Sequence, residues 1–195
     1  MSTPLNKAMR DEAELLVAFV NTRDLEEGTD EIGEPGQLQA WVEERTGEYL
    51  PLPDDDAQAR VLALRESLRA LLRANNGGEA GERELGALRE AVERSRYRPT
   101  LGADGRLTLS PARADLSGFE ARLLLAIERI QAQGAWPRLK ACTDEDCQWA
   151  FLDTTRNRSR TWCSMEECGN REKTRRYRAR RGAAASSRRA ASSPR

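Results

Sequence analysis

Cys142, Cys147, Cys163 and Cys168 are the four cysteines of a 195-residue chain that contains no histidine. They fall in two pairs, each with four residues between its members, and fifteen residues separate the pairs. This is the spacing of a structural zinc site: each pair can bend back onto one ion, and the segment between them closes the unit. Zn²⁺ takes four ligands at the corners of a tetrahedron, so a Cys₄ set leaves no corner for water and the expected role is structural. The competing chemistry is a pair of disulfides, or buried thiols. Asn6, Lys7 and Arg10 precede any hydrophobic run, so no export signal is expected. A chain kept in a reducing, cytoplasmic compartment rarely forms disulfides. One structural zinc ion is therefore the expectation.

The residues around the cysteines must position them. Trp149 and Phe151 lie in one run, Trp162 in a second, and between them sits the polar stretch Thr154 to Arg160. Two aromatic-bearing runs flanking a polar turn predict a β-hairpin between the cysteine pairs. After Cys168 come Gly169 and Asn170, and then residues 171–181, rich in helix formers and free of breakers until Gly182. A helix is expected there. Knuckle, hairpin and helix together describe a treble-clef-like finger.

The run Leu139-Lys140, Cys142, Cys147, Trp149, Phe151, Asp153, Arg156-Asn157, Arg160, Trp162-Cys163, Met165, and Cys168-Gly169-Asn170-Arg171 resembles the CGNR zinc finger, at matching spacing throughout. In that family the finger follows a helical domain called ABATE, and the whole is assigned a role in stress-induced transcription regulation. The resemblance implies zinc and DNA binding, without a target. Phe19-Val20-Asn21-Thr22 is similar to the opening of ABATE domains. Asn21, Arg23 and Asp24 are thus candidates for a small-ligand pocket, against the plainer alternative of a satisfied turn.

The helical domain is expected over residues 1–134, the finger over 135–181, and a disordered Ala/Ser/Arg tail over 182–195. The chain is neutral as a whole, but residues 1–134 carry −8 and residues 135–195 carry +8. Such asymmetry points to a polyanionic partner for the finger half. The fold expected is mainly α. Apolar residues at helical spacing predict helices over 11–22, 37–45, 57–73, 82–94 and 116–133. In the third, Val61, Leu64, Leu68, Leu71 and Leu72 form the apolar stripe, and Arg60, Arg65, Glu66, Arg69 and Arg73 are expected on the wet side. In the fourth, Leu85, Leu88 and Val92 are expected to face inward. A small β-hairpin is expected around Asp104-Gly105, and Trp136-Pro137 joins the finger to the rest.

Without histidine the chain lacks the commonest neutral-pH general base, and no glycine-rich phosphate loop follows a strand, so no enzyme is expected. The expected function is zinc-dependent nucleic-acid binding by a transcription regulator, with the helical domain sensing, dimerising or recruiting. DNA would be contacted by Arg171, Lys173, Arg175, Arg176, Arg178, Arg180 and Arg181 on the last helix. Arg156, Arg158 and Arg160 would lie near the phosphate backbone. RNA is the alternative partner, with Trp149, Phe151 and Trp162 stacking on bases. A protein-interaction role for the basic helix is the third. No membrane segment and no second cofactor are expected, and a homodimer is left open.

Overall fold

The computed structural model describes residues 6–191, with side chains as far as Arg180. Helix α1, Lys7–Val20, begins earlier than its apolar spacing predicts because Asn6 caps it, accepting from the Met9 amide. A short ribbon follows, β1 (Arg23–Asp24) paired with β2 (Thr29–Asp30). Helix α2, Gln37–Thr46, buries Leu38, Trp41 and Val42 and stops at Gly47. Helices α3 (Ala57–Ala74) and α4 (Gly86–Arg94) lead into the expected hairpin, β3 (Tyr97–Leu101) with β4 (Leu107–Pro111). Gly105 holds its turn at φ +76°, a conformation glycine adopts without steric cost. Helix α5, Leu116–Ala132, starts at Asp115, whose side chain accepts from the Gly118 amide.

The core forms where α1, α3 and α5 meet. Phe19, Trp41 and Phe119 stack there in tilted and edge-on pairs, with centroids 5.6–6.3 Å apart. Val61, Leu64, Leu68 and Leu72 of α3 and Phe119, Leu123, Ile127 and Ile130 of α5 are buried, as their spacing predicts. Helix α4 differs from expectation. It starts at Gly86 and lies on α3 and α5 along a narrow stripe through Leu88 and Ala91, which leaves Val92 exposed.

The wet side expected for α3 is also corrected. Arg65 is 1 % exposed and Arg69 3 %. Arg65 donates to both oxygens of Asp30 (2.8 and 2.7 Å), to Thr22 Oγ1 (3.0 Å) and to Glu66 (2.9 Å). Arg69 donates to Glu66 (3.0 Å) and to the carbonyls of Val20 (2.8 Å), Arg23 (3.0 Å) and Gln148 (3.2 Å). Buried guanidinium groups survive only when their donors are met, and here the partners come from four separate segments.

The finger stretch packs on this same core. After a 3₁₀ turn at Trp136–Arg138, β5 (Leu139–Ala141) pairs with β6 (Ala150–Leu152). Leu139, Ala141 and Ala150 belong to the main apolar cluster, against α1 and α3. The ribbon therefore spans the first cysteine pair, whereas the hairpin expected between the pairs does not form. Residues 153–161 instead wrap around Asp153 and Lys140, which take their backbone groups. The final helix α6, Asn170–Ala191, runs past Gly182, because one glycine beside Ala183, Ala184 and Ala185 weakens a helix by only about 1 kcal/mol. Residues 192–195 of the expected tail lie outside the described residues. Among the described residues no helix is long and apolar enough to cross a membrane.

Arg65→Ala should destabilise the fold by about 3–5 kcal/mol in urea unfolding, because it strands the Asp30 carboxylate. Hydrogen bonds from Arg65 hold the Asp30 carboxyl below the usual range. Its stabilising contribution is thus complete above pH ~4 and is lost as pH falls through the lower folded value. Arg65→Ala should therefore flatten the acid limb of the stability curve. An unchanged limb would show that the pair contributes nothing.

Candidate metal centre

The four cysteines arrive from two separate turns. Cys142 continues β5, its amide donating to Trp149 O at 2.9 Å, and the chain then reverses through Asp144, whose carbonyl accepts from the Cys147 and Gln148 amides. Gln148 sits at φ +48° to complete the knuckle. The second pair brackets a π-turn, Met165–Gly169, capped by Ser164, whose hydroxyl accepts from the Glu167 amide. A Cβ at Gly169 would come within 2.5 Å of the Met165 sulfur that lies over this turn. Cys168 lies within this turn, two residues ahead of α6.

The four sulfurs lie within 4.8 Å of one another, and no disulfide joins them. Cys147 is 3.5 Å from Cys163, and Cys163 is 3.6 Å from Cys168. Zn–S bonds of about 2.3 Å give a tetrahedral edge of about 3.8 Å, so the sulfurs are already close to the spacing one zinc ion requires. Cys142, Cys147 and Cys168 are buried, and Trp149 and Trp162 pack against the cluster. The thiols also disturb one another. Hydrogen bonding from Cys147 pulls Cys142 down to about 5. The Cys142 interaction and burial push Cys147 far up, while burial pushes Cys163 up to about 12. One thiolate forms readily and the others resist, a conflict that a divalent cation at the centre removes. The four cysteines form one centre that fits a single zinc ion held by four thiolates.

Residues 153–161 are held by two side chains. Lys140 Nζ donates to Asp153 (2.9 Å) and to the carbonyls of Arg158 (2.6 Å) and Arg160 (2.9 Å). Asp153, fully buried, also accepts from Thr155 N, Thr155 Oγ1 and the Arg160 amide. Burial would raise its carboxyl, but these bonds outweigh burial and hold it at about 2. Arg160 lies 4.6 Å over the Phe151 ring and donates to the carbonyls of Trp162 and Cys163. Phe151, Trp149 and Trp162 are thus engaged in packing.

Of the candidate contact residues on α6, the first are already engaged. Arg171 pairs with both oxygens of Glu26 (2.8 and 2.9 Å), with Asp144 (3.2 Å), and lies 3.7 Å from Cys168 Sγ. The Glu26 bonds raise its pKa further. Arg175 lies 3.4 Å from both Asp144 and Asp146, and Arg176 pairs with Glu172 at 2.7 Å. Lys173, Arg178 and Arg180 are exposed, as is Arg156 in the loop, and none of the four makes an ion pair among the described residues. Arg158 is half-buried at φ +52°, and the Arg181 side chain lies outside the described residues.

A family model described as "Putative stress-induced transcription regulator" (ABATE) matches residues 13–146. The chain belongs to the ABATE family. A second model, the CGNR zinc finger, matches residues 138–181 and takes in all four cysteines. The ABATE match runs through β5 and past Cys142, in keeping with the packing of that strand on α1 and α3. A search of curated proteins finds no match to the chain.

In this ABATE protein the three candidate pocket residues do not act together. Asn21 accepts from the Ala150 amide (2.7 Å) and donates to the Ala150 carbonyl (3.0 Å), standing in for a strand beside β6. Arg23 is exposed, 3.8 Å from Glu66. Asp24 borders a cleft of about 400 Å³ next to the cysteines, with Glu26, Glu27, Trp149, Glu167 and Arg171. Asn75 and Asn76, at the end of α3, were not among the expected site residues. Asn75 stays right-handed and Gly77 takes the left-handed position. The two amides donate to Trp136 O and Leu139 O, and to Ala141 O and Thr161 O, at 2.8–3.0 Å. Two adjacent amides at a helix end were the available signal.

Elemental analysis should find one zinc per chain. Cys163→Ser or chelation should also lower the melting temperature of the helical core, since β5 and β6 belong to it. Two transitions with the helical one unmoved would show the finger to be a separate unit. Asp153→Ala should cost about 3–5 kcal/mol at neutral pH by stranding the Lys140 ammonium. The contribution of Asp153 to wild-type stability is present above pH ~4 and disappears as pH falls through about 2. Loss beginning near pH 7 would contradict this assignment.

Proposed function

We propose that this ABATE protein is a DNA-binding regulator that contacts the duplex through the distal part of α6, and that it acts by binding without catalysis. The observation that carries this reading is the free cationic surface beyond Glu172. Lys173, Arg178 and Arg180 face solvent on a helix whose first turn is anchored to the zinc centre. Like charges at helical spacing weaken a helix unless a counter-charge meets them, and phosphate supplies one. An α-helix fits the major groove, where arginine can pair with guanine O6 and N7. Arg156, on a loop fixed by Lys140 and Asp153, would then meet the backbone and set register. The family description supports the regulatory role, and the helical core would carry the signal or the partner. RNA stacking is the weaker reading, since Phe151, Trp149 and Trp162 already pack.

The test is binding of the zinc-loaded full-length protein to duplex DNA and to single-stranded RNA across a salt series. Four phosphate contacts would give a log–log salt slope of about −3.6 on duplex DNA. Arg178→Ala with Arg180→Ala should weaken duplex binding by about 1–3 kcal/mol for each arginine that reads a base. Arg156→Ala should weaken all sequences alike and flatten the slope by about one unit. Undiminished duplex binding by the double variant, or preference for RNA, would overturn the proposal.

A further inference from the structure

The β3–β4 hairpin is amphipathic, yet its apolar face is left open. Directly paired residues share a face, so Tyr97, Pro99 and Leu101 lie beside Pro111, Leu109 and Leu107, while Arg98, Thr100, Thr108 and Ser110 occupy the other side. An apolar face on a two-stranded hairpin belongs against a core. Here Leu101 is 69 % exposed, Leu107 66 %, Leu109 44 % and Tyr97 37 %. The hairpin instead overhangs α1 and α5 as an arm. Arg129 ties it down, donating to Leu109 O at 2.9 Å and pairing with Glu12 at 2.6 Å. Either side of that tie is a cleft, of about 450 and 530 Å³, whose walls include Leu15, Leu125 and Ala126 in one and Met9, Leu125 and Ala132 in the other.

From this arrangement we infer that the arm is a homodimer interface: the Leu101–Leu107 tip of one copy seats in the cleft beneath the arm of the other. Two features point to a second copy of this chain. The first is shape. Knob and cleft lie on one surface of one molecule, so a two-fold axis beside the arm satisfies both at once and closes the assembly, as an isologous contact requires. The second is charge. Arg98 and Arg106 on the arm make no ion pair among the described residues, and neither does Glu128 on the wall of the larger cleft, so each copy can offer an unpaired arginine to the unpaired carboxylate of the other. Area agrees with both. A standard interface takes 20–30 residues and roughly 800 Å² from each partner. The arm and the walls of its two clefts together reach about that number of residues. Pro99 on β3 withholds one backbone donor from that outer strand, so the contact is made by side chains on the face rather than by edge pairing into a longer sheet.

This inference does not depend on DNA binding. It is tested on the full-length zinc-loaded protein by sedimentation equilibrium and light scattering across a concentration series. The wild type should show twice the 21.8 kDa chain mass at tens of micromolar. Leu101→Glu with Leu107→Glu removes the tip at exposed positions, so the helical spectrum and zinc content should be unchanged. The dissociation constant should rise at least about a hundredfold, because two buried leucines are replaced by charges. Arg106→Glu alone should weaken the dimer less, and less still at high salt. A wild type that remains at 21.8 kDa at 100 µM, or a double-glutamate variant that stays dimeric, would overturn the assignment.

Discussion

A ribbon of two three-residue strands cannot stabilise itself, and this constraint shapes the molecule. Beside a single metal the knuckle has too little core of its own and too many backbone groups without partners. The helical core supplies both. Leu139, Ala141 and Ala150 enter the main cluster, while the side-chain amides of Asn21, Asn75 and Asn76 meet the backbone of Ala150, Trp136, Leu139, Ala141 and Thr161. The ends of α1 and α3 thus act as the missing neighbours of the ribbon. Buried backbone groups left unpaired cost about 1–3 kcal/mol each, so this seating defines the register of the knuckle and, through it, where α6 starts.

The same end of α3 carries the buried arginine pair. A buried ion pair is weak support for stability, since desolvation consumes much of the attraction. Its contribution here is geometric. Arg65 fixes Asp30 at the base of the β1–β2 ribbon, and Arg69 joins Val20, Arg23 and Gln148 across three segments, with Glu66 held between the two cations. The ribbon turn then presents Glu26 to Arg171, at the first turn of α6. A continuous polar path leads from the middle of α3 to the residue that lies against the zinc thiolates.

What was legible in the sequence was local. The cysteine spacing needs only chain geometry, and the stripes of α3 and α5 need only the helical period, so both were readable. The fate of Arg65 and Arg69 was not. Their positions follow the polar face of α3, and the groups that allow burial, Asp30, Thr22 and the carbonyl of Val20, lie more than thirty residues away in sequence. The hairpin was misplaced for a similar reason. Aromatic residues at Trp149 and Trp162 suggested two strands, but a buried Asp153–Lys140 pair captured the backbone that a second strand would have used. The candidate contact arginines were found by residue type, and only the fold separates Arg171, turned inward, from Arg178 and Arg180.

Counted over whole halves, −8 against +8 suggests a long-range field. Yet over about 10 Å, salt at 0.1 M screens such a field, and the structure resolves the attraction at short range instead. Glu26 and Asp144 neutralise Arg171, and Asp144 with Asp146 draws on Arg175. Helix α6 therefore has two electrical sections. Its N-terminal turn sits within a rim of carboxylates that includes Asp24 and Glu27, Arg175 and Arg176 are still met by Asp144, Asp146 and Glu172, and Lys173, Arg178 and Arg180 make no ion pair among the described residues. A polyanion meets repulsion at the zinc end and attraction further along. The acidic rim would therefore steer any polyanion away from the zinc centre and toward Lys173, Arg178 and Arg180, leaving the centre as the anchor of the helix.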